Sequence, residues 1–97
     1  MKRETFANHI TTALSGDLLV LDSVLGMQWS KAGDSLIVRV QPVNRDTWRD
    51  VGHLVFNQLR EAFVEIPFKA VVQVLRINEM PNLFFMLTPI NTNQTPT

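Results

Sequence analysis

The chain contains no cysteine. That excludes disulfides, thiolate nucleophiles, zinc-finger ligation and iron–sulfur clusters, and leaves packing as the source of fold stability. It also has no net charge, since nine basic side chains balance nine acidic ones. A neutral chain lacks the overall positive potential that draws nucleic acid or anionic membranes, and it has little colloidal repulsion to oppose self-association. No apolar run approaches the ~20 residues of a membrane span. The opening segment, Met1 to His9, turns polar where a signal peptide needs an apolar stretch. The expectation is a soluble cytoplasmic protein without a membrane partner.

Catalytic signatures are missing as well. There is no Gly-x-Ser-x-Gly elbow, no His-Glu-x-x-His pair and no phosphate-loop pattern. Ser15-Gly16-Asp17 and Ala32-Gly33-Asp34 read as ordinary turns. His9 and His53 are the only histidines. They read as solvent-exposed helix residues, because a metal site needs three or four ligands at a recognisable spacing. No catalytic residue, metal or cofactor is assigned.

What is present fits one folded domain. The chain has 97 residues, 45% of them apolar and 19% charged, which supports a single core and lies well away from disordered compositions. The second half faintly echoes the first. Arg3-Glu4-Thr5-Phe6 is answered 42 residues later by Arg45-Asp46-Thr47-Trp48, and Gln41-Pro42-Val43-Asn44 is answered 47 residues later by Thr88-Pro89-Ile90-Asn91. Duplication of an αββ unit would leave such a pattern, as would chance. A duplication implies two units sharing one sheet, because neither buries its apolar face alone.

Periodicity supplies the elements. Phe6, Ile10, Ala13 and Leu14 share one face of a helix over residues 3–14, closed by Gly16. Residues 19–30 alternate as a long strand, with Leu19, Leu21, Leu25, Met27 and Trp29 on one side and an irregularity at Gly26. A turn through Gly33 leads to a strand over 35–41. Asn44 is the N-cap of a second helix, whose apolar stripe runs through Trp48, Val51, Val55, Leu59, Ala62 and Ile66 to Pro67. Strands over 68–77 and 83–88 follow, joined by a loop over 78–82. The fold class is α+β, in the order α-β-β-α-β-β, with a four-stranded, mainly antiparallel sheet and both helices on one face. Residues 1–90 form the domain, and 91–97 read as a disordered polar tail.

The last two strands carry the strongest functional signal, because both of their faces are apolar. Helices in so short a chain cover only one face of the sheet, so a second copy or a protein partner is expected to cover the other. Phe84, Met86, Val71 and Leu75 are the candidate interface residues. The leading reading is a small non-enzymatic interaction module (adapter, subunit or chaperone-like binder) that is homodimeric through its sheet. The alternative is nucleic-acid binding by Arg39, Arg76 and Lys69, with Phe84 stacking a base. A third reading, a small-ligand sensor or enzyme, rests on His53, Asp50 and Arg49.

Overall fold

A computed structural model describes residues 2–90, and the tail over 91–97 lies outside the described residues. The elements run α1 (Arg3–Leu14), α2 (Leu18–Ser23), β1 (Val24–Trp29), β2 (Leu36–Val40), a 3-10 turn (Arg45–Thr47), α3 (Trp48–Glu65), β3 (Phe68–Ile77) and β4 (Met80–Pro89). The four strands form one antiparallel sheet in the order β1-β2-β4-β3. This is the expected α+β class, with one additional short helix. None of the described helices is long and apolar enough to cross a membrane.

The core forms where the helical and strand periodicities meet. Phe6, Ile10 and Leu14 of α1 and Val51, Val55, Leu59 and Ala62 of α3 are buried against alternate residues of the two central strands. Those are Leu36, Val38 and Val40 on β2, paired with Leu87, Phe85 and Leu83 on β4. Phe6 sits at the centre, with its ring 6.1 Å from that of Trp29 and 5.8 Å from that of Phe68. His9 is half-buried rather than solvent-exposed, and its Nε2 donates to the Ala62 carbonyl at 2.8 Å, tying α1 to α3. Among the described residues, no buried side-chain nitrogen or oxygen lacks a hydrogen-bond partner.

The strand expected over 19–30 is corrected at its first half, which is α2. Asp17 caps that helix, its Oδ1 accepting from the amides of Leu19 at 2.9 Å and Val20 at 3.1 Å. Buried Ser23 donates back to the Leu19 carbonyl at 2.8 Å. Only Val20 of the apolar run is buried; Leu18, Leu19 and Leu21 stay exposed, and the strand side expected to join Leu19 and Leu21 with Leu25, Met27 and Trp29 does not arise. Replacing Asp17 by alanine is expected to cost about 1 kcal/mol, readable as a lower denaturant midpoint at unchanged slope. An unchanged midpoint would show that α2 holds without its cap.

The second hairpin is also tighter than expected. Its turn is Asn78-Glu79, both at positive φ (54° and 66°), as a two-residue type I′ connection requires. Pro81 therefore lies inside β4, opposite Arg76. The proline is tolerated because β2 pairs with β4 only over Leu83 to Leu87, leaving the other side of Pro81 without a strand. Gly33, at φ 78°, makes the first hairpin turn as read from sequence.

The strand order is the one a two-fold axis between β2 and β4 generates from two αββ units. Val38 and Phe85, separated by 47 positions like the two proline segments, face each other midway along the β2–β4 pairing.

Candidate interaction surface

The sheet has a covered face and an open face. Residues alternate between them, and the register assigns each side chain. Buried Phe85 pairs with Val72 and buried Leu83 with Val74, so Val72 and Val74 lie on the helix side. Val71 pairs with Met86, Gln73 with Phe84 and Leu75 with Asn82, which puts these six on the open side. The four candidate interface residues thus share one face. Val71 and Met86 are directly opposed, Phe84 is one pair further along, and Leu75 is one pair beyond that. Phe84 and Met86 are half-buried, while Val71 and Leu75 are exposed.

Arg39 occupies part of this face. It pairs across to Phe84, holds its guanidinium carbon 5.7 Å from the centre of that ring, and donates from Nε to Asn82 Oδ1 at 2.9 Å. Buried Asn82 in turn donates from Nδ2 to the Met80 carbonyl at 3.1 Å. The Asn82 contact thereby holds the guanidinium over the phenylalanine ring. Lys69, paired with Thr88, shares the open face, but Arg76, opposite Pro81, projects to the helix side. There it joins Arg45, Asp46, Trp48 and Arg49 around a polar recess. The three cations of the nucleic-acid reading are not brought together.

His53, Asp50 and Arg49 lie exposed on α3. Arg49 stacks on Trp48 at 5.0 Å. No group of three or more potential metal ligands occurs among the described residues. All nine carboxylates lie in helices and connections; the strands hold Arg39, Lys69 and Arg76 and no acidic side chain.

A surface beyond the four residues named from sequence lies where α3 stops short of β3. The strand is the outer edge of the sheet, and after buried Phe68 its remaining nine residues are all exposed. Val71 (49%), Val72 (52%), Val74 (43%) and Leu75 (44%) are accessible on both faces at once. On the helix side an apolar trough runs between this strand and the flank of α3. One end is lined by Phe56, Phe63, Val64, Phe68 and Ala70, the other by Trp48, Phe56, Val72 and Val74. Phe56, Phe63 and Val64 all remain exposed. The sequence carried a signal for this flank: Phe56, Phe63 and Val64 recur at i, i+7 and i+8, a second apolar stripe beside the core stripe.

No protein-family model matches the chain, and no curated protein or solved structure does either. The functional reading therefore rests on geometry.

Proposed function

We propose that the chain is a small non-enzymatic protein-interaction module that acts as a homodimer through its sheet. The observation that carries this reading is β3, a ten-residue edge strand with apolar side chains exposed on both faces. Folded monomers normally blunt such an edge with charge, proline, bulges or a covering element, because its free backbone groups template pairing with another chain. Pairing with a second copy satisfies those groups and removes apolar surface from water together. The open face, with Val71, Leu75, Phe84 and Met86, then remains as a broad surface for a protein partner. Sedimentation equilibrium of the full chain at micromolar concentration tests the self-association directly. The expected mass is twice that of the chain, and a monomer throughout the range would overturn the reading.

A further inference from the structure

We infer that two copies pair β3 with β3 in antiparallel register, with Gln73 on the two-fold axis, to form one continuous eight-stranded sheet. This rests on the homodimer reading and specifies its contact.

The two edges of the sheet differ in kind. β1 has six residues and its register with β2 breaks between Val24 and Gly26, so it is short and kinked, as protected edges are. β3 runs ten residues in unbroken register with β4. Its middle, Ala70 to Leu75, contains no charge, proline or glycine. Only β3 offers a long, regular row of backbone groups.

The register follows from self-complementarity. A two-fold axis normal to the sheet keeps the helices of both copies on the same side, and directly opposed residues share a face. The axis must then pass through a residue position, not between two. Placed on Gln73, it sets Val71 against the partner's Leu75 and Val72 against the partner's Val74. Gln73 meets its own copy, where one side-chain amide donates to the other's carbonyl. Lys69 faces the partner's Ile77, and Arg76 faces the partner's Ala70, so no like charges oppose each other. Moving the axis to Val72 would set the Gln73 amide against valine.

The trough supports the same arrangement. Glu61 and Arg60 both line the recess that contains Ala70, so the partner's Arg76 arrives near one carboxylate and one guanidinium. α3 packs over β4, where a Cβ on Gly52 would stand 3.0 Å from a Leu83 methyl, and touches β3 at its first residue, the Phe63 ring lying 5.6 Å from that of Phe68. The two copies of α3 would flank the seam at up to ~14 Å, or three strand spacings. That exceeds the roughly 8–10 Å of close helix contact, and Phe56 and Phe63 from both copies are placed to fill the gap. A half-exposed phenylalanine offers on the order of 100 Å². With the exposed β3 side chains and nine residues of backbone pairing, each copy approaches the roughly 800 Å² of a specific dimer.

Because the chain has no cysteine, a single introduced thiol reports the register. The full-length Gln73→Cys chain is expected to convert almost completely to a covalent dimer under mild oxidation, since opposed residues have Cα atoms about 4.5–5.5 Å apart, within disulfide range. Val71→Cys and Leu75→Cys should each remain monomeric on a non-reducing gel when oxidised alone and cross-link when mixed. Sedimentation of the unoxidised chains separates the possible failures. A monomer mass would remove the homodimer reading and this inference with it. A dimer mass without a Gln73→Cys cross-link, or with efficient cross-linking of Phe84→Cys instead, would overturn the β3 register and leave the homodimer standing.

Discussion

Lysine in place of Val72 is expected to yield a folded monomer under conditions where the proposed dimer of the native chain forms. Val72 is about half exposed in the single chain, and its helix-side position under the trough means the subunit core does not depend on it. In the paired sheet it would lie against the partner's Val74 beneath the Phe56 rings, where an ammonium group loses water and gains no acidic partner. Symmetry introduces the charge twice. At about 2 kcal/mol for each copy, the total near 4 kcal/mol corresponds to a roughly thousandfold weaker association. Sedimentation shows the mass, and far-ultraviolet circular dichroism shows whether the fold survives. Val72→Thr, close in shape and β-branched, should dimerise far better than the lysine variant. Retention of full dimer by Val72→Lys would mean that this side of β3 is not at the contact.

Phe6→Ala is expected to be the most damaging single core substitution. The ring is fully buried and contacts both Trp29 on β1 and Phe68 on β3. It therefore joins the two outer strands of the sheet beneath α1. Truncating a buried phenylalanine costs about 3–5 kcal/mol, a large share of the roughly 5–15 kcal/mol that holds a small domain folded. The melting temperature should fall by roughly 15–25 °C, compared at equal protein concentration because the proposed dimerisation would itself add stability. Phe6→Leu should recover much of the loss by refilling the site. A fall of only a few degrees in the alanine variant would show that α1 is held mainly by its other contacts.

Much of this fold is readable from residue spacing. Phe6, Ile10 and Leu14, and then Val51, Val55 and Leu59, repeat every four residues and are the buried faces of α1 and α3. Asn44 caps the approach to α3, accepting from the Asp46 amide at 2.9 Å. The segment from Leu18 to Ser23 misleads because four successive apolar residues show neither helical nor strand period, and their alternation runs on plausibly into Leu25. Asp17, two residues before Leu19, was the local helix signal. Pro81 suggested a five-residue loop, yet the free side of β4 accommodates it and the chain turns in two residues.

The candidate surface was legible in part for a similar reason. Parity alone places Phe84 with Met86 and Val71 with Leu75, each pair within one strand. Whether Arg76 shares a face with Arg39 depends on how β4 registers against both β2 and β3, which no local pattern encodes. Burial of Phe56 and Val64 depends in turn on how far α3 sits from β3, a distance set by the whole helix layer.

The unequal edges limit how far association can go. In polymer terms, a unit with two reactive ends grows without limit, whereas a unit with one reactive end couples once and stops. The register of β1 with β2 breaks at Val24/Gly26, which makes β1 the poorer end for pairing. In the proposed dimer, joining two chains at β3 would therefore use up both reactive ends and leave only β1 edges outermost. On the proposed pairing, a small break in one strand's register would separate a closed pair from a growing fibre.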